Sequence, residues 1–131
     1  MKKLCKIIPL LITSIFTLGG CKYSSSYSAL SMVRTNTSKS ASMSFSSFKG
    51  RMVFNMKWSG NEDELLTYSA SITTGAATIY YDDGNDKTEL FHIDSDETIT
   101  SSKGGFEKGT LYIIVETSER CEEGYFRFSI N

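Results

Sequence analysis

From residue 48 onward the side chains alternate, and that alternation restricts the chain to one class of fold. Phe48, Gly50, Met52, Phe54, Met56 and Trp58 share one parity, while Lys49, Arg51, Asn55 and Lys57 take the other. This is the two-residue period of a strand with one wet face. Leu66, Tyr68, Ala70 and Ile72 form a second apolar row opposite Thr67, Ser69, Ser71 and Thr73. Residues 76–81, 88–93 and 97–101 read as further short strands, and Leu111, Ile113 and Val115, then Phe126, Phe128 and Ile130, complete the set. Clusters of Gly, Asn, Asp and Ser mark turns at 59–63, 75, 82–87, 102–109 and 118–124. Only the acidic run 61–66 offers a turn of helix, with carboxylates suited to its start. Seven or eight short strands in fewer than 90 residues predict an all-β fold, a small antiparallel β-sandwich, with a small β-barrel as the alternative. Trp58, on the apolar parity, is expected in the core.

The start of the chain has a different logic. Lys2, Lys3 and Lys6 precede an apolar run over residues 7–18, which ends at Gly19-Gly20-Cys21. A positive end, a short apolar middle and a small-residue exit are the layout of a secretory signal peptide. Twelve residues are too few to cross a hydrocarbon core that needs about 20. The ending Leu18-Gly19-Gly20-Cys21 resembles the lipobox of bacterial lipoproteins. That resemblance implies cleavage before Cys21, a thioether-linked diacylglycerol on its sulfur, and a protein held by lipid on the extracytoplasmic side of the cell membrane. Small residues at 19 and 20 leave the backbone open to a peptidase, and only the cysteine supplies a thiol to alkylate.

Three segments follow from this reading: a signal peptide at 1–20, a lipidated cysteine and Ser-rich flexible tether at 21–43, and a β-sandwich domain at 44–131. Residues 24–47 hold eleven serines and no acidic residue, a composition that does not repay the entropy of being ordered. Lys22, Arg34 and Lys39 in that tether are expected near anionic headgroups. The domain pattern, in particular residues 50–58, Gly109-Thr110-Leu111-Tyr112-Ile113 and Gly124-Tyr125-Phe126-Arg127-Phe128-Ser129-Ile130, resembles the small β-sandwich lipoproteins of Gram-positive bacteria. That family brings no characterised chemistry to carry over.

Charge and cysteine content exclude several functions. Without residues 1–20 the chain has 11 basic and 15 acidic residues, and from Ser44 onward 8 against 15. Such an acidic field does not suit a nucleic-acid binder, which must neutralise phosphates. With Cys5 in the leader and Cys21 lipidated, Cys121 has no partner for a disulfide within the chain. Three flanking glutamates disfavour its thiolate, so Cys121 is expected to be a buried, slow-reacting plug beneath a loop at 118–124.

Candidate sites are few. The single histidine, His92, shares parity with Leu90 and is expected to be packed or half buried. Asp82, Asp83 and Asp86 offer the oxygens calcium takes, but their spacing is not that of an EF-hand and carboxylates also serve hairpin turns directly. No other cofactor is implied. The outward parity of Tyr112 and Tyr125, on strands expected to be antiparallel neighbours, together with Tyr80 and Arg127, gives a candidate binding surface for a sugar ring or a protein. The expected role is a lipid-anchored binding or interaction module for an envelope protein or glycan, not an enzyme. The alternatives are a small envelope hydrolase, or an accessory subunit of one, using acidic loop residues, and a structural envelope spacer.

Overall fold

The computed structural model describes residues 23–131; the leader and the lipobox Cys21 lie outside them. The chain is all-β. Its strands are β1 (Ser26–Leu30), β2 (Val33–Asn36), β3 (Ser40–Trp58), β4 (Leu66–Asp82), β5 (Thr88–Asp94), β6 (Glu97–Lys103) and β7 (Gly109–Ile130). All pair antiparallel in one sheet of order β1-β3-β7-β4-β5, with β2 also on β3 and β6 also on β4.

Three of these strands are long, at 19, 17 and 22 residues, and each is bent double. The two ends of β3 meet: the Lys57 amide donates to the Ser38 carbonyl at 2.8 Å, and Lys39 Nζ reaches the Lys57 carbonyl at 2.9 Å. Phe54, whose sheet partner is Ile113, packs on Phe128 at 6.2 Å, and Tyr68 stacks on Phe91 at 5.0 Å. The sheet therefore folds onto itself as a sandwich. Its first layer is built from residues 33–36, 40–48, 66–74, 97–103 and 121–130, and its second from 51–58, 76–82, 88–94 and 109–119. β1 runs along β3 across the bend, pairing Ser26 with Arg51 and Leu30 with Ser47. On that edge Arg34 donates to the Val53 carbonyl and covers the Phe54 ring, and Asn36 bonds both backbone groups of Asn55. Side chains thus close the β1–β2 side, giving the sandwich a barrel-like flank.

The bend is built from irregular backbone. Gly75 has φ of 110° and Gly50 of 126°, and a Cβ on either would collide with backbone, of Arg120 and Cys121 or of Ser26 and Tyr27. Only glycine combines that torsion with that approach. In β7, Glu123 takes a positive φ of 49°. The buried row changes parity as each strand crosses this line: from Phe45 to Phe48, from Ile72 to Ala77, and from Phe126 to Cys121. β-Bulges have this effect, displacing one side chain and bending the strand. Both ends of every long strand consequently lie at one end of the sandwich, the open end, with the bend at the other.

Three expectations need correction here. The stretch 21–43, expected to be a flexible tether, contains β1, β2 and the start of β3. Ser26, Ser28, Ser40 and Ser42 stand opposite strand partners, so backbone pairing and burial of Ala41 and Met43 order a segment whose composition alone would not. Gly75 and residues 118–124, expected to be turns, lie within β4 and β7. Residues 61–66, expected to offer a turn of helix, hold a turn closed by Glu64 N to the Asn61 carbonyl, and Leu66 already begins β4.

The core lies between the layers. Phe48, Phe54, Phe126, Phe128, Met43, Met52 and Met56 are among its largest fully buried side chains, and Trp58 is buried edge-on against Phe106. Phe106 comes from the connection after β6 and also packs edge-on against Tyr81, closing the open end.

Candidate functional site

The outward face of the first layer follows from register. Across the strands one row reads Thr35, Ser42, Arg127, Ser69, Thr100, and the next reads Val33, Ser44, Tyr125, Ser71, Thr98. A third contains Ser40, Ser129, Thr67 and Ser102. Inward partners such as Ala41, Met43, Tyr68 and Ala70 are buried, which turns the small hydroxyl residues to solvent. In the middle stand Arg127 and Tyr125, the guanidinium 4.3 Å from the ring centroid. Beside them is a shallow depression of about 240 Å³ lined by Thr67, Tyr68, Ser69, Thr100, Arg127, Phe128 and Ser129. Arg127 is the only charge in these three rows. Five fixed N–H donors, an aromatic ring and a field of hydroxyls can hydrogen-bond a hydroxylated or anionic ligand in a shallow, open contact.

The other two candidates lie on the opposite face. Tyr112 and Tyr80 point outward from the second layer, so the structure brings together Tyr125 and Arg127, and separately places Tyr80 and Tyr112. Tyr112 and Tyr125 are not on neighbouring strands: they are thirteen residues apart on β7, on either side of the bend. The parity change at the bend, read locally, looks like the end of one strand and the start of another. Both second-layer tyrosines have partners within the chain. Lys87 lies 4.5 Å over Tyr80 and pairs with Glu116 at 2.7 Å; Tyr23 packs edge-on against Tyr112 at 5.3 Å.

Tyr23 also donates its hydroxyl to Asp82 at 2.6 Å, and Ser25 Oγ accepts from the Val53 amide at 2.9 Å. Asp82 is buried, and its other oxygen accepts from Gly84 N at 2.8 Å. Burial, then the bond to Asp82 and that residue's charge, pushes the Tyr23 phenol well above its ordinary range. Val53 and Ile114, partners in the sheet, form a small buried apolar pair outside the main core. The seating of Tyr23 had no signal in the sequence, because it joins residues 59 apart.

Of the calcium candidates, Asp82 is turned onto Tyr23, and Asp83 accepts from Asn85 Nδ2 and the Glu107 amide, tying two loops at the open end. Asp86 is exposed on the intervening turn. Among the described residues no group of three or more His, Cys, Asp or Glu side chains gathers as a metal site.

His92 is exposed, not packed, because Ile93 takes the buried position on β5. Its Nδ1 meets Thr78 Oγ1 at 2.9 Å and its Nε2 meets Asp94 Oδ1 at 3.0 Å. A hydroxyl–imidazole–carboxylate chain is the connectivity of a hydrolase triad, but the Asp94 side chain is 62% exposed, so water screens its pull on the ring.

Two further groups carry unusual chemistry. Glu64 was unmarked in the sequence. It is buried at the open end, accepting from the amides of Ser59 and Gly60 and from Lys39 Nζ at 2.9 Å. Burial pushes its carboxyl up, yet the bonds from Lys39, Ser59 and Gly60 outweigh it and hold the pKa below 4.5. Lys39 is thereby bound to the domain, where a place in a loose tether was expected. Cys121 is free and buried as expected, but in a strand, its Sγ 3.6 Å from the Ala76 carbonyl. Burial pushes its thiol up to about 11, and Glu119 adds to this.

Fold and surface together define a small all-β domain with a seven-stranded antiparallel sheet of sandwich and barrel-like form. No protein-family model matches the chain, and no curated protein does.

Proposed function

We infer that this chain is a lipid-anchored extracytoplasmic binding or interaction module, attached through Cys21 and binding through the outer face of its first layer. The anchoring half rests on the lipobox sequence Leu18-Gly19-Gly20-Cys21. The observation that carries the binding half is the Tyr125–Arg127 pair beside its depression, the one aromatic and cationic feature in a field of small hydroxyls. Loosely packed hydroxyl and amide groups around one aromatic anchor suit an adaptable polar contact, and an envelope glycan or an envelope protein's polar surface presents the matching groups.

The test is binding of the acylated full chain to a panel of envelope glycans and to immobilised envelope extract. Arg127→Ala and Tyr125→Ala should each weaken retention about tenfold or more, the loss of roughly 1.4 kcal/mol, while Tyr80→Ala leaves it unchanged. Retention untouched by both first-layer substitutions would remove this face as the site.

The Thr78–His92–Asp94 chain favours a second reading, a small hydrolase. Ester turnover by the full chain that disappears in His92→Gln would support it, and turnover equal in both would sink it.

A further inference from the structure

We propose that the sandwich stands on the membrane by its open end, with the acidic bend end directed away from the bilayer. This deepens the anchoring reading above and rests on it. The occupant of the open-end surface is a phospholipid bilayer with anionic headgroups.

The geometry begins at Tyr23. Its hydroxyl is held by Asp82, the last residue of β4, and its ring by Tyr112, near the start of β7. Both sit towards the open end, and the Ser25 bond to Val53 fixes the direction of the chain back towards that end. Cys21 is two residues before Tyr23, so its Cα is tied within about 7 Å of that of a seated residue. A flexible tether of some twenty residues would spread over about 25 Å and let any face reach the bilayer. Tyr112 pairs with Asn55, five residues from Gly50 and three from the end of β3 at Trp58, so the bend lies about 17 Å from the row that seats Tyr23, more than twice the leash, and the open end about 10 Å.

Charge adds a smaller preference. At the bend end Lys49, Arg51 and Arg120 are outnumbered by Asp94, Asp96, Glu97, Glu119, Glu122 and Glu123. At the open end Lys39, Lys57, Lys87, Lys103 and Lys108 stand among Glu62, Asp63, Glu64, Asp82, Asp83, Asp86 and Glu107, so both ends are net acidic and the open end carries more cations. Those lysines give anionic headgroups more cations to meet at the open end than at the bend. Standing upright, the domain leaves both outer sheet faces clear of the bilayer, including that of Tyr125 and Arg127.

The experiment uses the full chain, processed in bacteria and reconstituted in phosphatidylglycerol-containing vesicles that also carry a headgroup spin label. Asn85→Cys reports the open end and Glu119→Cys the bend end, each bearing a thiol-linked fluorophore attached under native conditions, where buried Cys121 is protected. Mass analysis of Cys21 is read first. Lipid on Cys21 with several-fold stronger quenching at position 85 than at 119 is the expected result. Lipid on Cys21 with equal quenching, or stronger quenching at 119, would overturn the orientation alone. Absence of lipid on Cys21 would overturn the anchoring and the orientation with it.

Discussion

On the first layer the outward residues are nearly all Ser and Thr, with one arginine and one tyrosine among them; on the second, outward Val53 and Ile114 are buried and outward Asp82 is sealed by Tyr23. The two faces share the strands β3, β7 and β4, and their inner sides merge in one core. They differ because the N-terminal segment crosses the second face and not the first. A segment laid over a sheet turns its outer residues into a minor core, and a carboxylate placed there must find donors, since an unbonded buried acceptor is costly. The uncovered face is under no such demand, and small hydroxyls satisfied by water suffice. A surface free of structural duty is where binding residues can be placed, which is why Tyr125 and Arg127 are stronger candidates than Tyr80 and Tyr112.

The largest effect should come from the core that both layers share. Phe128→Ala and Phe54→Ala are each expected to cost about 3–5 kcal/mol, read as the shift in a urea unfolding curve, because each ring packs on the other across the layers. A large cost for one and a negligible cost for the other would mean that the layers do not depend on each other.

The next comparison sets the two faces directly against each other. Tyr23→Phe keeps the ring against Tyr112 and removes the bond to buried Asp82, and should destabilise by about 1–3 kcal/mol. Tyr125→Phe, on the open face, should stay within about 0.5 kcal/mol. Equal costs would erase the distinction between a structural face and a free one.

Titration separates the open end from the bend. The Glu64 carboxyl is held below its ordinary 4.5 in the folded protein, so its contribution is present above that value and is lost as pH falls through the folded pKa. In Glu64→Gln the fall in stability between neutral pH and acid should be shallower than in the parent, by urea midpoint. For Cys121 the sign reverses. Its thiol rises from 9.0 to about 11 on folding, so stability is intact below pH 9 and declines as pH rises towards 11. Cys121→Ala should weaken that alkaline decline, the smallest of these effects, and a thiol reagent should label native Cys121 slowly and unfolded chain fast. Rapid labelling of the native protein would mean that the bend opens.

Much of the fold was legible because the buried rows are local. The row Met52, Phe54, Met56, Trp58 and the row Leu111, Ile113, Val115 each declare a strand and an inward side within a few residues, and period two is enough to set the class. Of the site, the residue types and outward parity of Tyr125 and Arg127 could be read from the last few residues of the chain.

Whether two rows belong to one strand or two was decided only in three dimensions. A bulge and a turn both shift parity and both favour glycine or a residue with positive φ, so the windows around Gly75 and Glu123 read alike whether the chain reverses or merely bends. The outcome depends on what the flanking halves pack against, and Phe54 on Phe128 is a contact no local window contains. The same holds for residues 23–47. Their composition lacks the apolar content to fold alone, but β3 offers an unpaired edge, and backbone bonds to that edge order β1 and β2. The sequence by itself determined an antiparallel β domain with a particular set of inward side chains, because side-chain alternation is a property of each short segment. The tertiary structure decided that three strands fold double, that Tyr23 seals Asp82, and that Tyr112 and Tyr125 face apart, because each follows from contacts between segments distant in the chain.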